Sequence, residues 1–581
     1  MNEGMRRVVL NVLAAAALAV LAGCGGNGGD AGTGGTGGTG GTGGSGGTGG
    51  TGGTGGTGGA TGTPLSLEVR GPIGTQLTLR NNGADDLALT VPAPAGSSTD
   101  TVNTQAGTFA TPLAAGAAWA VSIASKPASM TCSVYKGASG TMPAAAGAVK
   151  AGCEHTFDLV SLDTTRTTRG TFFDSSAPAI GGSATYGEGR FVAFVSSADL
   201  GGNSAGRRQI WWRDRMTGET RLISTDAAGV AGNGDSFAPA ISADGLTVAF
   251  ESSATNLVAG DTNGVRDVFV WSAAGGVLTT GVTRASVGAG GVQANSESYG
   301  PALSADGRVV VFSSGASNLT AGVSGISTIN AYRRDLASGS NTLLTLGTNG
   351  LGAGGDRPAV SADGNRVAFW SYAANITAGD GNGLWDIFVY DHAAGTRKRV
   401  SLTSTGGERN QGTESASRIV APAISGDGRF VAYATTASNV VPGDTNGTQD
   451  VFVVDVDSLA VQRVSTATGG AQANADAPSG QGEKPALSHD GTWVAFTSTA
   501  TNLGTAATTT GIGNVFLRNR VTQTTYAVSN HLTSGSVGVP TISVAGAYVA
   551  FGASTALDAR VAGSGLYAHF TSQARAWWWI D

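Results

Sequence analysis

One unit is written over and over in this chain, and that repetition constrains the fold more than any other feature. It is plainest in residues 239–286, which open on Pro-Ala-Ile-Ser-Ala-Asp-Gly and end on a Thr-Arg-Ala-Ser strand. The opening Pro-Ala/Thr element recurs at Pro178, Pro239, Pro301, Pro358, Pro422, Pro485 and Pro540, 55 to 64 residues apart. Self-similarity at a nearly fixed period marks solenoids and propellers, because each unit buries its apolar faces only against its neighbours.

Each unit reads as four short strands. Pro-Ala-Ile-Ser is the first. The Asp-Gly pairs at Asp244, Asp306, Asp363, Asp427 and Asp490 predict two-residue type I′ hairpins with positive φ at both central positions. Second strands such as Val-Ala-Phe and third strands such as Asp-Val-Phe-Val are almost continuously apolar. That pattern fits sheets covered on both faces, as stacked propeller blades are. An Arg-Val-Ser segment (Arg399-Val400-Ser401, Arg463-Val464-Ser465) closes the unit as the fourth strand.

Pro-Ala-[Ile/Leu/Val]-Ser-x-Asp-Gly, followed by the Val-Ala-Phe and Asp-[Val/Ile]-Phe-Val strands, resembles the TolB-like β-propeller repeat, a relative of the WD-repeat propellers, over residues 170–575. The first unit departs from it, with residues 181–189 in place of Ser-x-Asp-Gly, and so does the seventh, where Ser543-Val544-Ala545-Gly546 lacks the Asp. Seven proline-started units imply seven blades. A strand-like stretch after His155, with no first and second strands before it, is expected to complete the last blade beside residues 565–571; Ala576 to Ile580 is the competing strand. The resemblance implies protein–protein or periplasmic scaffolding work rather than a fixed reaction.

Ahead of the propeller (155–581) the chain divides into three parts. Residues 1–24 have the layout of an export signal: Arg6 and Arg7, an apolar run over 8–21, then Leu21-Ala22-Gly23-Cys24. Leu-Ala-Gly-Cys resembles the bacterial lipobox, which implies lipidation of Cys24; Gly25 rather than Asp after it implies the outer membrane. Residues 25–63 are Gly-Gly-Thr repeats that bury nothing and serve as a tether of roughly 35 Å r.m.s. reach for about forty residues. Residues 64–154 read as a small β-module that resembles the immunoglobulin-like modules preceding propellers in other bacterial lipoproteins. With Cys24 lipidated, Cys132 and Cys153 remain, and in an exported protein that pair argues for one disulfide.

Composition narrows function mainly by exclusion. Net charge is −6 with no basic stripe, so the electrostatic footprint of a nucleic-acid binder is missing. Gly202-Asn203-Ser204-Ala205-Gly206 has the letters of a nucleophile elbow but lies between strands of an all-β unit, where the required helix is lacking. Ser488-His489-Asp490 is a run of chain neighbours, and a triad is assembled in space. The five histidines fall in different units with no ligand spacing.

Gly-Asp-x-Asn-Gly-x-x-Asp is the sharper motif, found as Asp261/Asn263/Asp267, Asp380/Asn382/Asp386 and Asp444/Asn446/Asp450. Oxygen ligands at positions 1, 3 and 7 suit a Ca²⁺ loop. Turn chemistry explains the same letters, and no bidentate Glu follows at position 12. Both readings stand at this point.

The sequence thus predicts an all-β, lipid-anchored, monomeric envelope protein: a seven-bladed β-propeller behind a small immunoglobulin-like β-module. Its expected role is non-enzymatic binding or scaffolding of an envelope or extracellular protein, without nucleic acid. The alternative is a glycan-active lyase or hydrolase using the central channel. The longest connections all leave one face, where a partner is expected to dock.

Overall fold

The computed structural model describes residues 62–570, apart from residues 73, 94–101, 128–129, 144–148, 156, 163–177, 184, 205, 274–280, 324–327, 412–419, 478–483, 505–510, 530–531, 533, 556 and 558–564. Cys24, nearly all of the tether and Ala576–Ile580 lie outside these residues.

The N-terminal module has eight strands: β1 (Ser66–Pro72), β2 (Gln76–Asn81), β3 (Asp85–Thr90), β4 (Val102–Thr108), β5 (Ala118–Ser125), β6 (Met130–Lys136), β7 (Ser139–Thr141) and β8 (Val149–His155). They form two four-stranded sheets, β4-β1-β8-β6 and β3-β2-β5-β7. Alternation decides which side faces in: Leu65, Leu67 and Val69 from one sheet meet Leu77, Leu79, Trp119 and Val121 from the other in a single buried cluster. Cys132 and Cys153 are cross-strand partners on β6 and β8 and are joined as a disulfide.

Seven further four-stranded sheets follow among the described residues, six of them in chain order from inner to outer strand and the seventh with its outer strand drawn from the start of the propeller. They occupy residues 179–222, 236–284, 298–343, 356–399, 423–463, 486–527 and 541–570, here blades 1 to 7. Inner strands of successive blades touch, and those of blades 1 and 7 touch each other, so the ring closes. The outer strand of blade 7 is β9 (Phe157–Leu159), where Leu159, Asp158 and Phe157 pair with Tyr567, Ala568 and His569. Both ends of the propeller therefore share one sheet, as the strand-like stretch after His155 predicts.

Second and third strands hold the core. Cross-strand partners stack as aromatic pairs in blades 2 to 6: Phe250–Phe269, Phe312–Tyr332, Phe369–Phe388, Tyr433–Phe452 and Phe496–Phe516, all with ring centroids 5.8–5.9 Å apart. These residues are fully buried, and such pairs add about 0.5–1.5 kcal/mol beyond their burial.

The Asp-Gly turns differ from the type I′ expectation. Gly245 has φ 73°, but Asp244 is not in the left-handed region; the turn closes by Gly245 N–H donating to the Ser242 carbonyl. Ser242 Oγ donates to Asp244 Oδ1 and accepts from Thr247 N–H, which explains why the repeat keeps Ser-x-Asp-Gly together. Gly245 is also required sterically, since a Cβ there would sit 2.2 Å from the Phe191 ring of the preceding blade.

These turns link into a girdle. Gly182 N–H donates to Ala243 O, Ala243 to Ala305, Ala305 to Ala362, Ala362 to Gly426, Asp427 to His489 and His489 to Val544, at 2.8–3.0 Å. The seventh link is a side chain: Ala545 N–H donates to Glu188 Oε1 of blade 1 at 2.6 Å. Glu188 also bonds Ser543, so it supplies across the seam the carboxylate that the seventh turn lacks. The two atypical units are thus neighbours, and their departures answer each other.

Candidate functional site

Strand direction puts the second-to-third and blade-to-blade connections on one face, opposite the girdle. These long connections are pinned. Asn233 N–H donates to Asn256 Oδ1, its Nδ2 to Thr255 Oγ1, and its Oδ1 accepts from Thr255 N–H, all at 2.8–2.9 Å. The same clasp recurs between Asn295 and Ser317-Asn318, between Asn410 and Ser438-Asn439, and between Asn474 and Thr501-Asn502. Among the described residues, neighbouring connections on this face are thus tied to one another.

All three Asp-x-Asn-Gly-x-x-Asp loops gather their polar residues, and each does so around an arginine of the outer strand. Asp267, Asp386 and Asp450 are buried, accept from Ser286, Ser401 and Ser465 hydroxyls, and hold Asn263, Asn382 and Asn446 at 2.9–3.0 Å. Arg284 lies 3.4 Å from Asp261 and 3.6 Å from Asp267; Arg399 lies 2.7 and 3.6 Å from Asp380 and Asp386; Arg463 lies 2.9 and 3.6 Å from Asp444 and Asp450. Burial pushes the carboxyls of Asp261, Asp380, Asp444 and Asp450 above the usual range, partly offset in Asp261, Asp380 and Asp444 by the adjacent guanidinium. A guanidinium thus already sits against both carboxyls that a cation would need and offsets part of their charge. Among the described residues no group of three His, Cys, Asp or Glu is placed to hold a metal.

The channel is lined by successive rings from the seven inner strands: the repeat prolines, then Ala or Thr, then Ile, Leu or Val, around a cavity of about 230 Å³. At the girdle end it narrows to about 180 Å³ among Ile, Leu, Val, Ala and Gly, with His489 the one titratable side chain in the described lining.

At the other end the mouth opens to about 410 Å³ and changes character. Pro239, Pro301, Pro358 and Pro422 form its floor, and Arg266, Tyr299, Arg357 and Lys484 its polar wall. The inner strands of blades 2 to 4 build it: each runs past its proline through a bulge, at Phe237/Ala240, Tyr299/Ala302 and Asp356/Ala359, whereas those of blades 5 to 7 are two residues long. The residue before each of those three prolines is left-handed, with φ 50° at Ala238, 62° at Gly300 and 53° at Arg357. Bulges commonly re-aim side chains beside functional sites, and a left-handed non-glycine residue is strained.

Arg266 is committed, donating to Glu251 Oε1 at 2.8 Å and Glu297 Oε2 at 3.1 Å and lying over the Tyr299 ring. Burial and the neighbouring Asp356 carboxylate hold the Tyr299 hydroxyl well above its ordinary pKa, so it stays protonated. Arg357 is looser: its Nε is 3.8 Å from Asp356 Oδ2, while Asp356 Oδ1 is taken by Ser313 and by the Arg357 amide. Lys484 is accessible to the lumen, and among the described residues no carboxylate pairs with it. Surrounding protein and, secondarily, the Arg357 charge push its pKa below the usual lysine value. None of these four residues stands out in the sequence by motif. The available signal is the position before the repeat proline, small or apolar in the other units and cationic only at Arg357 and Lys484.

Sheet order and closure define a β-propeller. No protein-family model and no curated protein matches the chain. Among solved structures it is similar to TolB from Acinetobacter baumannii, at 15% identity and TM-score 0.32, covering 58% of this chain and 63% of that one. It is also similar to the β-propeller domain of the Trilobed protease from Pyrococcus furiosus (13%, TM-score 0.40, 70% and 96% covered). A third is oligogalacturonate lyase from Vibrio parahaemolyticus (12%, TM-score 0.42, 72% and 97%). The likeness is one of fold alone. Among the described residues no helix is long and apolar enough to cross a membrane.

Proposed function

We propose that the protein is a lipid-anchored binding module of the bacterial outer membrane that engages a protein partner with the long-connection face and channel mouth of its propeller, without catalysing a reaction. The lining of the channel carries this reading. Along the described lumen and mouth the titratable side chains are Arg266, Arg357, Lys484, Tyr299 and His489, with His489 at the far end. General acid–base chemistry needs a positioned pair of suitable pKa within reach of one substrate. Here the mouth supplies cations and a proline floor, a recognition surface. Cys24 and the Gly-Gly-Thr tether support tethering at a membrane, with the propeller held clear of the lipid.

A solution test separates binding from turnover. The mature protein is incubated with acidic and neutral oligosaccharides and with peptides, and new reducing ends, unsaturated sugars and cleaved peptides are sought. No product is expected; turnover that disappears in an Arg357 or Lys484 variant would establish the glycan-active or hydrolytic alternative instead.

A further inference from the structure

The mouth of the channel has more to say about ligand chemistry. Arg357 and Lys484 stand on blades 4 and 6 at the same position of the repeat and line one cavity, with like charges facing a shared space. Like charges in a partly desolvated pocket are unfavourable unless an anion joins them. Arg357 holds Asp356 only loosely, at 3.8 Å, and among the described residues no carboxylate pairs with Lys484. The rest of the lining is Pro, Ala, Gly and Val with Tyr299 and Arg266, and Arg266 is already engaged by Glu251 and Glu297, which leaves few partners for the hydroxyls of a sugar.

A second observation lies outside the cavity. Of the large apolar residues exposed among the described residues, Val230, Val265, Val292, Ile329, Leu351 and Tyr372 all belong to long-face connections of blades 1 to 4. They crown the sector whose inner strands are bulged. A groove of about 460 Å³ lined by Phe237, Val265, Arg266 and Glu297 shares Arg266 with the mouth, so Val265 of this set adjoins the cationic pocket. Exposed apolar residues gathered on one face, with a groove leading from them to a charged pocket, suit an interaction surface.

We propose that the mouth captures a carboxylate of an acidic protein segment between Lys484 and Arg357, with flanking apolar residues of that segment lying on the Val230–Tyr372 sector. This rests on the binding reading above and names its ligand. The carboxylate is either a chain terminus or an Asp/Glu side chain; the chemistry is the same, and the test separates the two.

The probe is a synthetic pentapeptide array in which each sequence is shown with a free C-terminal carboxylate and as its amide, together with tetragalacturonate in solution. The full mature protein is expected to select carboxylate-bearing, apolar-flanked peptides. Retention of Asp/Glu peptides as amides would identify a side-chain carboxylate, and their loss a terminal one. Lys484→Met and Arg357→Gly, the latter suited to the positive φ at that position, are each expected to weaken selected peptides at least tenfold, while Val521→Asp on the opposite face leaves them unchanged. Selection indifferent to carboxylates, insensitivity to both variants, or binding of tetragalacturonate alone would overturn the inference. The binding reading would survive if a protein partner still cross-linked to the long-connection face.

Discussion

Replacing Glu188 tests whether the ring closes as described. Glu188 Oε1 accepts the Ala545 amide at 2.6 Å, and its carboxylate also serves Ser543, buried at the junction of blades 1 and 7. Glu188→Ala strands that amide and hydroxyl; each buried unsatisfied group costs about 1–3 kcal/mol, so a loss of about 2–6 kcal/mol is expected. For a cooperative ring of roughly 400 residues this corresponds to about 2–7 °C in Tm. Glu188→Gln keeps the acceptor and removes the charge. Burial holds the Glu188 carboxyl above its usual pKa, the hydrogen bonds from Ser543 and Ala545 offsetting this in part. A raised folded pKa means that its favourable contribution is present below the unfolded pKa and lost as pH rises through the folded one. Glu188→Gln should therefore match the parent near pH 4 and gain on it toward pH 7. Scanning calorimetry across that range, with hydrogen exchange at Ala545, reads both effects. An alanine variant as stable as the parent, or a glutamine variant as damaged as alanine, would refute the seam.

Four further expectations follow, three from the same geometry and one from the sequence of the N-terminus. Cys132→Ala/Cys153→Ala opens a loop with a sequence separation of 21 and should cost the module about 3 kcal/mol, read as increased protease sensitivity of residues 64–154; no change would argue against a stabilising bridge. Millimolar Ca²⁺ is expected to leave Tm unchanged relative to chelator, because Arg284, Arg399 and Arg463 already sit against the loop carboxyls; a clear rise would favour the calcium reading over the turn reading. Arg463→Met, which leaves Asp444 and Asp450 buried without their cation, should destabilise by about 3 kcal/mol. Cys24→Ser should shift the exported protein from the membrane to the soluble fraction, and unchanged membrane association would remove the lipid anchor from the account.

Much of the fold was legible because the repeat is chemical as well as periodic. Ser-x-Asp-Gly encodes a closed turn, the apolar second and third strands encode double-sided cover, and the strand-like stretch after His155 encodes closure. What sequence order hides is which units become neighbours in a ring. Glu188 and Ala545 look like lapses from the motif until blades 1 and 7 meet. The calcium-like loops were legible as clusters, but their arginines arrive 13 to 23 residues later in the chain, so the spacing motif omits them. The mouth was hardest to see. Arg357 and Lys484 are single letters before a proline, and they acquire meaning only when seven inner strands bring those positions to one opening.

The most direct test of the binding account is site-specific photo-crosslinking in the intact envelope, with p-benzoylphenylalanine placed in turn at Val292 and Leu351 on the long-connection face and at Val521 on the opposite one. The account predicts a discrete protein adduct from Val292 or Leu351, diminished by Lys484→Met, and none from Val521. An adduct from Val521 alone would contradict it.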